Sequence, residues 1–346
     1  MTAPAPTMTA LRAVDGSATP VLRTLARPVA AADEAVLLVE AVSASHLDLQ
    51  VLRGTAPGGS VGLPRTLGID PVGIVVAVGS DADPALVGRR MVAKPNVFCG
   101  RCARCRAGNE ADCTDQQILG VHRDGGAAGY VRVPVRALAG APDDVPAAEI
   151  AAATHTFPVA LHMMRVAEVT AGERVVVLGA AGAVGFAAAQ LVALRGAETI
   201  GVVRGSARPT GHVTIEPADV AALSGIDVVI DATGDAALVT AALGTLAPRG
   251  RLVTCAGSGT LAVGMVDLFR KRLRLYGSAA ADRSDLVSTM DLLARGEIHA
   301  PVAAVYELDD FEAAYAALAR RERFGRVTFV PRTPVATTQE RMEPHV

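Results

Sequence analysis

The run ERVVVLGAAGAVGFAAAQLVALRG constrains the fold of this chain more than any other stretch. Its first part, Val175 to Leu178, is an unbroken apolar strand, which in a soluble protein means a strand buried on both faces of a parallel sheet. Glycines follow, then a helix with no charge before Arg195 that ends at Gly196. The same texture recurs through residues 154–300: ETIGVV, GIDVVIDA, RLVTCAG and RLRLYGS read as strands with apolar helices between them. Alternation of this kind predicts right-handed β-α-β crossovers and hence an α/β fold with a doubly wound sheet.

The turn itself carries Gly179, Gly182 and Gly185 as G-x-x-G-x-x-G, with Ala183 and Val184 opening the helix. Glycines there let the backbone approach a pyrophosphate, whose charge then lies against free N–H groups at the helix N-terminus. A dinucleotide is therefore the expected cofactor. No acidic residue ends the second strand, where one would bond a ribose 2′-OH; the segment GVVRGSARPTG offers Arg204, Ser206 and Arg208 instead. Guanidinium groups suit a 2′-phosphate, which points to NADP(H), with a solvated surface loop as the alternative. Only GSARPTG separates ETIGVV from the next strand, HVTI, too short a segment for a crossover helix.

Upstream, from Val21 to about Ala153, short β-rich runs such as AVLLVEAVSAS, VGIVVAVG and AGYVRVPV alternate with Gly and Pro, the punctuation of an irregular β domain. Downstream of Pro301 come a strand and helix in VYELDDFEAAYAALARR, a closing strand GRVTFV, and the tail TPVATTQERMEPHV, which has no core pattern. Composition narrows the partners. The net charge of -2 gives no electrostatic reason for a nucleic-acid or membrane partner, so a small-molecule substrate is expected. The opening MTAPAPTMTALRAVDG lacks the basic start and apolar run of a secretory signal, and no stretch is long and apolar enough to span a bilayer, so a cytoplasmic protein is expected.

Four of the five cysteines, Cys99, Cys102, Cys105 and Cys113, fall in CGRCARCRAGNEADC within a lobe of about residues 95–115. Four thiolates close a tetrahedral shell and leave no position for water or substrate, so one structural zinc ion is expected, with a disulfide pair as the alternative.

Several stretches together carry a family resemblance: HLDLQVLRG, GIDPVGIVVAVG, the cysteine box, DGGAAGYVRVPV, VLGAAGAVG, DVVIDATG, RGRLVTCAG and FGRVTF. On these the chain resembles the medium-chain dehydrogenase/reductase superfamily, which includes zinc alcohol dehydrogenases and quinone or enoyl reductases. The resemblance implies a GroES-like catalytic domain from residues 1–153 and 301–346, a Rossmann domain from 154–300, and hydride transfer in the cleft between them. It also implies a homodimer built by adding Rossmann sheets edge to edge.

Zinc alcohol dehydrogenases hold their catalytic metal with motifs like G-x-C-x-T-D-x-H and G-H-E and a later cysteine. Here Ser45 stands at the first cysteine, Ile69 at the histidine, Asp70 at the glutamate and His155 at the last cysteine, while Leu47 and Gln50 replace the proton relay. GIDPVG and S-x-x-D look more like the zinc-free quinone reductases. The resemblance places His155 beside the nicotinamide, as a hydrogen-bond or proton donor titrating near neutrality, or else as a structural histidine at a domain junction. Ser45 is a donor to substrate or a spacer, and Asp48 and Asp70 are orienting carboxylates or structural ion pairs. By the same resemblance His46, Val159, Thr233, Gly257, Ser278 and Arg326 contact the cofactor, Val159 as an apolar wall. Tyr130 and Cys255 read as packing residues.

These readings converge on an NADP(H)-dependent oxidoreductase that reduces an activated C=C bond, or an iminium, of a small metabolite without catalytic zinc. A carbonyl reductase or alcohol dehydrogenase with a rebuilt zinc site is one alternative, and a non-catalytic dinucleotide sensor another.

Overall fold

The computed structural model describes residues 6–57, 61–205, 212–257, 259–320 and 324–331. The apolar runs form a six-stranded, wholly parallel sheet in the spatial order Val213–Ile215, Glu198–Val202, Arg174–Leu178, Ile226–Asp231, Leu246–Thr254 and Arg274–Gly277. Strand order reverses beside Arg174–Leu178, so a crevice opens there at the carboxyl ends of the strands. HVTI does form the third strand, paired in parallel with Glu198–Val202, and no helix connects the two among the described residues. The tail expected to be loose lies outside the described residues.

The turn after Arg174–Leu178 explains its glycines. Gly179 holds φ +82, and a Cβ on Gly185 would lie 2.1 Å from the Gly179 oxygen, so helix Ala183–Leu194 can approach the strand only without a side chain there.

The β-rich part is assembled from both ends of the chain. Glu34–Ser43 pairs with Val72–Val78 and Tyr130–Pro134, and its last residues pair with the closing strand Arg326–Phe329 through Thr328 opposite Ser43 and Phe329 opposite Val42. Val302–Tyr306 lies beyond that strand, parallel to it. A smaller antiparallel sheet joins Val21–Ala26, Thr7–Ala13 and Arg65–Thr66.

Helix Ala147–Val166 runs through the boundary expected at residues 153 and 154. It is apolar nearly all round, with Ile150, Phe157 and Met163 fully buried, because it packs against strand Glu34–Ser43 on one side and helices Ala183–Leu194 and Arg283–Ala294 on the other. Pro158 withholds an N–H from the middle of this helix, and the hydroxyls of Thr154 and Thr156 bond back to the Ile150 and Ala152 carbonyls at 2.7 and 3.0 Å.

Because Gly185 has no room for a methyl group, Gly185→Ala is expected to destabilise the chain by about 1–3 kcal/mol. Thermal unfolding measures this as a melting midpoint lowered by several degrees, and an unchanged midpoint would contradict the close approach.

Candidate functional site

The crevice opens into a cavity of about 610 Å³ between the parallel sheet and the β-rich part. It brings together His46, Gly179, Gly182, Ala183, Arg204, Thr233 and Arg326, all expected near a cofactor. Gly182 caps helix Ala183–Leu194 without any side-chain acceptor, so the first-turn N–H groups are left for an anion. This donor set fits the pyrophosphate of a dinucleotide. Val184 and Gly185 lie just inside the same helix, and Val159 is buried on Ala147–Val166. Ser206 and Arg208 lie outside the described residues. Arg204 pairs with Asp235 at 2.6 Å, and the nearby guanidinium and backbone N–H groups hold the Asp235 carboxyl below its usual range.

Gly257 follows strand Leu246–Thr254, and Ser278 follows Arg274–Gly277, so both lie where strands end at the crevice. The Ser278 hydroxyl is 2.8 Å from His162 Nδ1, which leaves the backbone to face a ligand. Thr233 donates through its N–H and its hydroxyl to Asp231 Oδ1 at 2.8 and 2.7 Å, and Thr254 donates to Asp231 Oδ2 at 2.8 Å. Asp231, which the sequence did not single out, thus ties two strand ends together. Cys255 has its thiol pushed up to about 11 by burial and the Asp231 charge, so it stays protonated. Tyr130 is buried away from this cavity, with Arg27 stacked on its ring at 4.4 Å.

Three candidate catalytic residues, Ser45, Asp48 and Asp70, lie at or beside one short helix. Ser45 caps His46–Leu52: its Oγ accepts the Leu47 N–H at 2.9 Å, and its own N–H donates to Asp48 Oδ2 at 2.8 Å. Asp48 Oδ1 accepts the Gly68 N–H at 3.1 Å. Asp70 accepts the Ser43 N–H at 2.8 Å and Arg326 Nη2 at 3.1 Å. Every oxygen of the two carboxylates therefore has a backbone or arginine partner. The two carboxylates thus hold the backbone of the Ser43–Ser45 and Gly68 segments. Burial raises both carboxyls to about 6, against the pull of Arg326 and the N–H donors.

His155 differs from its expected near-neutral titration. Burial, with the charges of Arg326 and Lys94, lowers it to about 4, so the ring is a neutral imidazole at neutral pH. Lys94 is the residue in this group that the sequence gave no reason to notice. It is only 3% exposed, donates to the Asn96 carbonyl at 2.8 Å and lies 5.3 Å from the Phe98 ring centroid. Burial lowers it to about 8, opposed by the carboxylates of Glu110, Asp282 and Asp285.

As ligands for a catalytic metal these groups fit poorly. Ser45 Oγ is engaged by the Leu47 N–H, Ile69 is a buried hydrocarbon, and Asp70 is held by Arg326, which leaves His155 against a requirement for three donors. The four cysteines of the lobe fit well. Their sulfurs all lie within 4.8 Å of one another, with the Cys102–Cys105 and Cys99–Cys105 pairs at 3.4 and 3.9 Å, and all are unpaired thiols. Zinc bonded to four sulfurs at about 2.3 Å sets them roughly 3.8 Å apart. Backbone N–H groups aim at the sulfurs: Cys102 N at Cys99 (3.3 Å), Cys99 N at Cys113 (3.3 Å) and Cys105 N at Cys102 (3.5 Å). The Cys105 N–H lowers Cys102 to about 6, while burial and the neighbouring sulfurs raise Cys105 to about 12, the pattern of a thiol cluster that needs a cation to ionise together.

Comparison with known proteins agrees with this geometry. Residues 31–143 match the alcohol dehydrogenase GroES-like domain and residues 208–328 the zinc-binding dehydrogenase domain. The chain is 28% identical over 290 residues to L-galactonate-5-dehydrogenase of Escherichia coli strain K12, covering 79% of this chain and 84% of that protein. It is 27% identical over 319 residues to acryloyl-coenzyme A reductase of Metallosphaera sedula, covering 88% and 95%. A crystal structure of an NAD-dependent alcohol dehydrogenase superposes with a TM-score of 0.85 at 30% identity, over 93% of this chain and 99% of that one. Among the described residues no helix is long and apolar enough to cross a membrane. The two matched halves, and the crevice they share, place the chain in the medium-chain dehydrogenase/reductase superfamily, as an NAD(P)-dependent oxidoreductase of the zinc alcohol dehydrogenase-like kind.

Proposed function

We propose that this chain is an NADP(H)-dependent reductase of an activated C=C bond, or of an iminium, in a small metabolite, and that it works without a catalytic metal. The observation that carries this reading is the donor set of the cleft: the oxygens of Ser45, Asp48 and Asp70 are held by backbone and arginine partners, and a neutral His155 is left beside two cations. A dinucleotide held by Gly179, Gly182, Ala183 and Arg204 would supply the hydride. Hydride addition at the β-carbon moves negative charge onto the substrate's carbonyl oxygen, and the α-carbon then takes a proton from water. A neutral imidazole donates a hydrogen bond to such an oxygen, and the charges of Arg326 and Lys94 favour the developing anion. The similarity to acryloyl-coenzyme A reductase is consistent with this chemistry. The likeness to L-galactonate-5-dehydrogenase supports a second reading, reduction or oxidation at a C–O bond.

The domain division follows the resemblance: residues 1–153 and 301–346 form the catalytic domain and 154–300 the dinucleotide domain, with helix Ala147–Val166 shared between them. Strand Arg274–Gly277 is an open sheet edge, and Leu275 with Met265, Val266 and Phe269 nearby is exposed. That apolar edge supports a homodimer.

Oxidation of NADPH with a panel of enones, iminiums and aldehydes tests the activity. Turnover is expected with the enones or iminiums, and His155→Ala is expected to lower turnover about tenfold or more with NADPH affinity nearly unchanged. Turnover confined to aldehydes would support the second reading, and tight NADPH binding without turnover would remove both.

Elemental analysis is expected to give one zinc per chain, held by Cys99, Cys102, Cys105 and Cys113, and lost with a lowered melting midpoint in Cys105→Ser. Two zincs per chain would contradict a metal-free cleft.

Arg204→Ala is expected to raise the Michaelis constant for NADPH about tenfold or more while leaving that for NADH little changed. Equal losses would remove the 2′-phosphate role.

A further inference from the structure

A second cavity, of about 450 Å³, opens beside strand Arg65–Thr66 and shares no lining residue with the cofactor crevice. Arg65, Arg123, Arg132 and His122 line it, and Asp124 is the one carboxylate in its wall among the described residues. The local charges do not balance. Beneath the wall Glu34, 5% exposed, is shared by Arg123 and by Arg132, whose Nε lies 2.9 Å away. Asp124 is likewise shared, by Arg12 at 3.3 Å and Arg65 at 3.8 Å. Four guanidiniums thus divide two carboxylates, and the excess is two positive charges.

Donors are in excess as well. The Nε groups of Arg65 and Arg123 make no hydrogen bond to another protein group. His122 Nδ1 accepts the Ile118 N–H at 3.0 Å, which fixes the ring proton on Nε2 and leaves that N–H as its remaining donor. Burial and the Arg65 charge lower the pKa of this ring, in the direction the geometry favours.

We propose that this cavity is a phosphoryl-binding site for a phosphorylated small molecule. A phosphoryl group carries about two negative charges at neutral pH and three acceptor oxygens, which matches the charge excess and the arginine forks. The site is a cavity rather than a basic face, and the chain's net charge is -2, so a single small ligand fits better than an extended polyanion.

Calorimetric titration of inorganic pyrophosphate into the full chain, saturated beforehand with NADP(H) to fill the crevice, tests the site. One saturable site per chain is expected. The double variant Arg65→Gln with Arg132→Gln should weaken it roughly tenfold or more, while Arg295→Gln, on a distant exposed ion pair, should not. Arg132 is half exposed, so if the double variant fails to fold, Arg132→Gln alone should still weaken binding measurably and Arg132→Lys should restore part of it. Absence of saturable binding, binding abolished by cofactor saturation, binding indifferent to both arginines, or tighter binding of citrate than of pyrophosphate would each overturn the assignment.

Discussion

Arg326 and Asp70 form an ion pair that joins the end of the chain to its beginning. Asp70 is fully buried and the Arg326 side chain is 12% exposed, with 3.1 Å between them. In such surroundings desolvation offsets much of the Coulombic gain, so the pair contributes little net stability. Removing one partner nevertheless strands a buried charge, at a cost of about 3–5 kcal/mol. Here the cost falls on the fold's closure. The other oxygen of Asp70 holds the Ser43 N–H, and Ser43 is the residue opposite Thr328 on the closing strand that begins with Arg326. The ion pair and the short ladder between the two ends of the chain depend on each other.

The same guanidinium sets the chemistry. Its charge, with that of Lys94, is one reason why His155 is a neutral imidazole, and it partly offsets the burial that raises Asp70. The Arg326 charge in the cavity wall would favour an oxygen that becomes negative during a reaction there. It disfavours a histidine that must hold a proton beforehand. Under the proposed reduction, that fixed charge would act on the developing oxyanion directly.

Much of this was legible in the sequence, for physical reasons that also explain what was not. Runs such as Val175–Leu178 and the glycine turn could be read because burial on both faces leaves no room for polar residues, and the thiol cluster because its spacing follows from tetrahedral ligation. The domain boundary was less legible. Composition changes near residue 153, but helix Ala147–Val166 packs on both sides of that change and belongs to both parts. Lys94 could not be found by pattern, since a lysine ordinarily marks a surface and its burial is decided by distant segments. Nor could the neutrality of His155, which depends on residues far from it in the chain, or the sharing of Glu34 and Asp124 among four arginines.

The cysteine lobe links these observations. Its Ala111 N–H donates to Asp282 at 2.8 Å, and its Glu110 accepts the Arg283 N–H at 2.5 Å. Asp282 caps helix Arg283–Ala294 and pairs with Arg165 on the long shared helix. The segment from Ser278 to Asp282 is therefore held at one end by the lobe and at the other by His162. A metal held by the four sulfurs would have no open position for a substrate, and would fix the loop from which Ala111 and Glu110 reach Asp282 and Arg283. The lobe's hydrogen bonds to Asp282 and Arg283 therefore tie the four-cysteine loop to the helix that packs on Ala147–Val166, so the thiol cluster and the shared helix belong to one connected arrangement.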